Sequence, residues 1–267
     1  MNVHTTLDGI KSHFGIFGTG SEIVLIHGFG PSISASWGLN IDALRRSRQV
    51  IALDLPGFGE SEEPQIEFSI SYLSRFLNHF LYALDVKQAA IVGHSLGANV
   101  AARFAIDHPD RISALILVAG FGPPALPVRL RLATPSFINK LLRRSNEKLV
   151  RRFVSSLFCD KQLVTDELVR EFLNEAEVQG TTNPRPQFWS LLNYGFRHSE
   201  LARITAPTLL VHGARDELIP AAHSMRASAF IKGSELQILP NCGHWIQREE
   251  PDTFNQMVST FLEKHSR

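Results

Sequence analysis

The run Ala89-Ala90-Ile91-Val92-Gly93-His94-Ser95-Leu96-Gly97-Ala98-Asn99-Val100 decides how this chain is read. Its first four residues are short, apolar and unbroken, as in a strand buried on both faces. Residues 97–108 carry a helical pattern that Pro109 stops. The residues between, Gly93-His94-Ser95-Leu96-Gly97, must therefore turn sharply from strand to helix. Glycines two before and two after the serine let the backbone pack closely, and the turn pushes the serine oxygen out at the top of the sheet. The serine also sits at a helix N-terminus, where N–H groups and the helix dipole favour negative charge.

The same alternation continues on both sides. Apolar strands are predicted at 23–26, 50–53, 114–118, 208–211 and 236–239. Ile70, Leu73, Phe76, Leu77, Phe80, Leu81 and Leu84 recur at helix spacing. So do Phe254, Met257, Val258 and Phe261, after Pro251 at an early helix position. Strands alternating with helices give an α/β fold class, doubly wound around a mostly parallel sheet. The less regular N-terminal stretch reads as an antiparallel edge hairpin. Prolines 123, 124, 127 and 135, and then Asn183-Pro184-Arg185-Pro186, interrupt the alternation, which resumes only at Pro207. The chain divides into core residues 1–120, a mostly helical insertion over 121–203, and core residues 204–267. Within the insertion, Leu141, Leu142, Leu149, Phe153, Val154, Leu157 and Phe158 are expected to face the sheet domain. Its basic residues from Arg129 to Arg152 read either as a solvated surface or as a site for anionic groups.

Composition sets outer limits. The 267 residues are 44% hydrophobic and 20% charged, which suits a folded globular chain and excludes a disordered one. The 27 Lys and Arg against 26 Asp and Glu leave no overall basic footprint for nucleic acid. Cys159 and Cys242 are too few and too far apart in sequence for a disulfide framework, and read as reduced thiols. No basic segment followed by an apolar stretch opens the chain, and no apolar run is long enough for a bilayer. The expectation is a cytoplasmic protein without stable membrane insertion, a monomer or homodimer that acts on a small-molecule substrate.

A serine hydroxyl is a weak nucleophile at neutral pH and needs a base. For an elbow of this kind the partners follow in the order Ser, Asp, His. Asp216 lies just past strand 208–211, in His212-Gly213-Ala214-Arg215-Asp216-Glu217. His244 lies just past strand 236–239, in Pro240-Asn241-Cys242-Gly243-His244-Trp245. Ser95, Asp216 and His244 are the expected catalytic residues, His244 acting as base and Asp216 fixing its tautomer. Glu217 is the alternative carboxylate, one residue further from the strand. His27, His94 and His212 lie in or beside strands and read as buried structural histidines, and Asp54 as part of a turn. The oxyanion needs donors: the N–H of Leu96, and the N–H of Phe29 in His27-Gly28-Phe29-Gly30 after strand 23–26. Gly28, Trp37, Trp189 and Trp245 are the expected lining of the substrate pocket.

Taken together, His27-Gly28-Phe29-Gly30, residues 54–61, Gly93-His94-Ser95-Leu96-Gly97, Gly213-Ala214-Arg215-Asp216 and Gly243-His244-Trp245 resemble the α/β-hydrolase superfamily. The resemblance implies an eight-stranded sheet, a helical cap between strands six and seven, a Ser-His-Asp triad, and no metal or organic cofactor. His27-Gly28-Phe29-Gly30-Pro31 with Ser34 and Trp37, and Cys242-Gly243-His244-Trp245-Ile246-Gln247, resemble the meta-cleavage-product hydrolases, which cleave a carbon–carbon bond beside a ketone. Those enzymes carry a cap arginine where this chain, after Thr165-Asp166-Glu167-Leu168, reads Glu171-Phe172-Leu173. That departure favours a carboxylesterase-like serine hydrolase for a small or medium hydrophobic substrate. The alternatives are the carbon–carbon hydrolase, a lactonase or perhydrolase, and a ligand sensor on the same fold.

Overall fold

The computed structural model describes residues 2–29, 32–64, 69–121, 147–178, 191 and 194–265. Eight strands form one sheet: β1 (Asn2–Leu7), β2 (Ile10–Phe17), β3 (Glu22–Ile26), β4 (Gln49–Leu53), β5 (Ala89–His94), β6 (Ile112–Val118), β7 (Thr208–Gly213) and β8 (Glu235–Leu239). Their order is β1-β2-β4-β3-β5-β6-β7-β8. The first two strands make the antiparallel edge hairpin, β2 runs antiparallel to β4, and every later pairing is parallel. Leu25 of β3 stands beside Ala52 of β4 on one side and Val92 of β5 on the other.

The apolar strands alternate between two cores because successive side chains leave a strand on opposite faces. Val24, Ile26, Ile91, Leu115 and Leu117 pack with helices α3 (Ile70–Ala83) and α4 (Leu96–Asp107). Helix α3 buries Ile70, Leu73, Phe76, Leu77, Phe80 and Leu81, the face its spacing predicts, and Ser69 caps it by accepting the Tyr72 N–H at 3.1 Å. Ile23, Leu25, Val92, Ile116 and Val211 instead meet Phe254 and Trp37, the latter at the end of α1 (Ile33–Trp37), which the short α2 (Ile41–Leu44) follows.

Between β6 and β7 the described residues form α5 (Glu147–Leu157), α6 (Asp166–Val178) and α7 (His198–Leu201), all helical. Val154, Leu157 and Phe158 are buried, with Leu168, Phe172, Ala35 and Trp245, in a third apolar cluster. Leu149 and Phe153 depart from the expectation: they are 41% and 45% exposed, since α5 turns only one stripe inward. Leu141, Leu142 and the basic residues Arg129, Arg131, Lys140, Arg143 and Arg144 lie outside the described residues. The later helices are α8 (Ala222–Ser228), α9 (Ile246–Glu249) and α10 (Pro251–His265). Among the described residues no helix is long and apolar enough to cross a membrane.

Candidate active site

The elbow after β5 is as tight as its glycines require. A Cβ on Gly93 would lie 2.2 Å from the Gly97 carbonyl oxygen, and one on Gly97 would lie 2.4 Å from that of Ile26. Ser95 holds φ 54° and ψ −113°, a strained conformation for a residue with a side chain. Its N–H is bonded to the Val118 carbonyl at 2.8 Å, so the strand next door fixes the turn. Leu96 opens α4, and the first N–H groups of a helix have no carbonyl within the helix to accept them.

His244 and Asp216 come together from the ends of β8 and β7. His244 Nδ1 donates to Asp216 Oδ2 at 2.7 Å, which leaves Nε2 as the basic nitrogen. The backbone N–H groups of Leu218 and Ile219 donate to Asp216 Oδ1, each at 2.8 Å. His212 Nε2 reaches Oδ2 at 3.1 Å. Burial opposes the charge on Asp216, but the His244 imidazole, the hydrogen bonds from both histidines and the Ile219 N–H outweigh it. The carboxyl is held well below the usual range. Glu217, the alternative acid, has a 67% exposed side chain 3.9 Å from Lys161.

The base loop is fastened to the elbow. His94 Nε2 donates to the His244 carbonyl at 3.0 Å, and the two rings lie 4.9 Å apart. Burial, then the neighbouring His244, push the His94 imidazole well below its ordinary value, so it donates as a neutral ring. The Ser95 hydroxyl makes no hydrogen bond among the described residues; bonds of this kind are often open before substrate binds.

The same loop is stitched to the helical insertion, a joint that no local sequence pattern predicts. The Leu157 carbonyl at the end of α5 accepts N–H bonds from His244 (2.8 Å) and Trp245 (3.2 Å). Glu249 accepts from Gly243 N at 2.5 Å on one oxygen, and from Cys159 N at 2.6 Å and Asp160 N at 3.2 Å on the other. Burial lifts this carboxyl above its ordinary value despite those three donors. Cys159 and Cys242 are free thiols beside this joint, and burial pushes Cys242 up to about 12.

The candidate donor loop follows β3. His27 Nδ1 donates to the Gly28 carbonyl at 2.7 Å while Nε2 accepts the Leu55 N–H at 2.9 Å. These two partners fix the tautomer, and burial lowers the ring's basicity. Asp54 ties the surroundings together by accepting from Ile33 N (2.8 Å), Glu60 N (3.1 Å) and His13 Nδ1 (2.6 Å). Gly28 lies against the elbow: a Cβ there would sit 2.9 Å from His94 Nδ1 and 3.1 Å from Ser95 Cβ. The ring of Phe29 packs edge-on against Phe58 at 5.8 Å.

The expected pocket tryptophans separate. Trp37 is fully buried, 6.1 Å from Phe254, and belongs to the core behind the sheet rather than to a pocket wall. Trp245 is buried between Phe158 (5.5 Å), Phe172 (5.4 Å) and His94 (6.1 Å), where it seats the insertion on the base loop. Trp189 lies outside the described residues. Among the described residues no group of three or more His, Cys, Asp or Glu is arranged to hold a metal ion.

Residues 23–251 match the sequence profile of the α/β hydrolase fold. The chain belongs to the α/β-hydrolase family. It is 33% identical over 264 residues to the dihydrolipoyllysine-residue acetyltransferase component of the acetoin cleaving system of Cupriavidus necator, covering 96% of this chain and 67% of that protein. It is 31% identical over 272 residues to a 2-hydroxymuconate semialdehyde hydrolase of a Pseudomonas species, covering 95% of this chain and 91% of that one. The solved meta-cleavage product hydrolase of Pseudomonas fluorescens IP01 superposes on this hydrolase with a TM-score of 0.84 at 27% identity, over 98% of this chain and 97% of that one.

Proposed function

We propose that this α/β hydrolase cleaves carboxylic esters of small or medium hydrophobic substrates through an acyl-enzyme on Ser95. The observation that carries the reading is the hydrogen bond from His244 Nδ1 to Asp216, made by a base loop that is itself bonded to the elbow bearing Ser95. With Nδ1 committed, His244 Nε2 faces the task of a base. Ser95 turns its hydroxyl toward Nε2 and attacks the ester carbonyl as the proton passes to the imidazole. Asp216 stabilises the imidazolium. The carbonyl oxygen becomes an oxyanion held by the N–H groups of Leu96 and Phe29, a donor of this type contributing about 3 kcal/mol. His244 returns the proton to the departing alkoxide. Water, deprotonated by His244, then attacks the acyl group and frees the acid and Ser95.

Residues 121–203 act in this reading as a cap. Support comes from α5 and α6, whose apolar faces pack on Trp245, beside the base. Glu171 of α6 accepts the Ser34 hydroxyl at 3.2 Å, close to the donor loop. The nearby Arg248 guanidinium is engaged by the Ala35 carbonyl and by the Trp245 ring, 5.5 Å below it. That balance favours a neutral acyl group over one bearing a carboxylate. A second reading, hydrolysis of the carbon–carbon bond of a meta-cleavage-type diketone, is favoured by the names of the relatives.

A fluorophosphonate probe should label Ser95 in the wild-type protein and nothing in Ser95→Ala, which keeps its fold and loses turnover. The same preparations are assayed on esters of increasing acyl length and on one ring-fission dienone. Ester turnover well above dienone turnover is expected; the reverse moves the assignment to the second reading. Unchanged ester hydrolysis by Ser95→Ala ends both.

A further inference from the structure

His212, read from sequence as a structural histidine, makes contacts that reach the chemistry. It is the penultimate residue of β7, is fully buried, and has two acceptors facing Nε2: the Ile219 carbonyl at 2.8 Å and Asp216 Oδ2 at 3.1 Å. A nitrogen facing two acceptors carries the hydrogen, so Nδ1 is the lone pair and accepts the Ser224 hydroxyl at 2.7 Å. His244 Nδ1 donates to that same Oδ2 at 2.7 Å. One carboxylate oxygen thus serves two imidazoles, and only one of them belongs to the proposed triad.

We propose that His212 is a positioning residue for the reaction: its Nε2–H shares Oδ2 of Asp216 with His244 and so sets how strongly the carboxylate holds the base in its charged form. This inference rests on the triad reading above. A donor on a carboxylate spreads its negative charge and lowers its basicity. Withdrawing the His212 donor leaves Oδ2 wholly to His244 and stabilises the imidazolium. The carboxylate keeps its orientation meanwhile, because Leu218 and Ile219 hold Oδ1. The effect is therefore electrostatic, and it appears as a change in the pH at which the base loses its proton.

The charged and titratable groups facing the pair are Asp216, His94 with His27 behind it, Glu249 under the base loop, and His223 with Arg226 on the helix behind His212. All of them are retained when His212 alone is changed. The test is the rate of Ser95 phosphonylation by the fluorophosphonate from acid to alkaline pH, in wild type, His212→Phe and His212→Gln. The acid limb of His212→Phe should move to higher pH by about 0.5–1 unit. His212→Gln, whose amide N–H replaces the donor, should return the limb toward the wild-type position. A folded His212→Phe with the wild-type limb overturns the proposal, whatever its absolute rate.

Should His212→Phe not fold, the histidine 15N spectrum of the intact wild-type protein decides. A protonated Nε2 and a lone pair on Nδ1 of His212 are expected; the opposite tautomer has no donor for Oδ2 and overturns the proposal. If wild-type Ser95 takes no label, the serine-hydrolase reading has failed instead. The titration of the His244 ring protons in the same three proteins then reads the His212 effect directly, with the same displacement expected and its absence decisive.

Discussion

Glu249→Gln tests the joint between base loop and insertion. In the wild type one oxygen takes the Gly243 N–H and the other takes those of Cys159 and Asp160. A glutamine has a single acceptor oxygen. Turned toward Cys159 and Asp160 it keeps two bonds and points its NH2 at the Gly243 N–H; turned the other way it loses two bonds. The first arrangement is the cheaper. It forfeits one charge-assisted bond and leaves a backbone donor facing another donor, a loss of about 1.5–3 kcal/mol. Relief of the desolvation that lifts the Glu249 carboxyl offsets part of this, so about 2 kcal/mol is expected in urea unfolding. At this chain length that is a fall of about 4–8 °C in Tm. Gly243 directly precedes His244, so the base slackens as well, and kcat on a good ester should fall by roughly 10-fold with KM little changed. Stability and kcat both equal to wild type would refute the claim that the clamp holds the loop. A stability loss with full kcat would confine Glu249 to the insertion.

Three other expectations are as direct. Asp216→Asn keeps the size of the acid but removes the charge that orients His244; ester turnover should drop by about 10^4-fold, and a drop under tenfold would count against the triad. Gly97→Ala forces a methyl to within 2.4–2.5 Å of the Ile26 and His27 carbonyl oxygens, which are backbone and cannot rotate away. It should cost about 3 kcal/mol or more and yield little folded protein. His13 is raised above its ordinary value by its hydrogen bond to Asp54, with burial opposing and the Asp54 and Glu60 charges adding. A raised imidazole contributes stability that is full below about pH 6.5 and lost as pH rises through the folded value. Thermal melts of the wild type should therefore decline above neutrality more steeply than those of His13→Gln, and parallel curves would show that the pair contributes nothing.

Local signals carried most of the fold into the sequence. The elbow was legible because a four-residue apolar strand, two glycines and a helical pattern are adjacent in the chain, and the clashes at Gly93 and Gly97 are the physical content of that pattern. The pairing of Asp216 with His244 was legible because both follow strands that end on one edge of a parallel sheet. Side-chain direction was not. Trp37 and Trp245 each flank a candidate loop, yet Trp37 turns behind the sheet to Phe254 while Trp245 turns up to Phe158 and Phe172. Glu249 and His212 were missed for a related reason. Glu249 reaches back ninety residues to Cys159, and that His212 joins His244 on the same oxygen of Asp216 depends on packing no periodicity encodes.

Three loops meet at this edge, and a buried or part-buried carboxylate accepts backbone N–H groups in or beside each: Asp54 those of Ile33 and Glu60 beside the donor loop, Asp216 those of Leu218 and Ile219 in the acid loop, Glu249 those of Gly243 and Cys159 at the base loop. Loops lack the ladder bonds of strands, so such acceptors give them their geometry. Two of the three differ in how they meet acid. Asp216 lies below the usual range because its donors outweigh burial, whereas Glu249 lies above it because burial outweighs its donors. A depressed carboxyl contributes stability above about pH 3.9 that is lost only as pH falls through its low folded value, whereas a raised one contributes stability present below about pH 4.3 and lost as pH rises through its folded value. As pH falls the base loop should therefore hold or tighten, and it is the acid loop that loosens, at strongly acid pH. Amide exchange, corrected for its intrinsic pH dependence, checks this: between neutral and mildly acid pH, protection at Gly243 and Cys159 should hold or rise while that at Leu218 and Ile219 is unchanged, and the last two should lose protection only in strong acid. Simultaneous loss at all four amides would mean that the edge opens as one unit and that the carboxylates do not hold their loops separately.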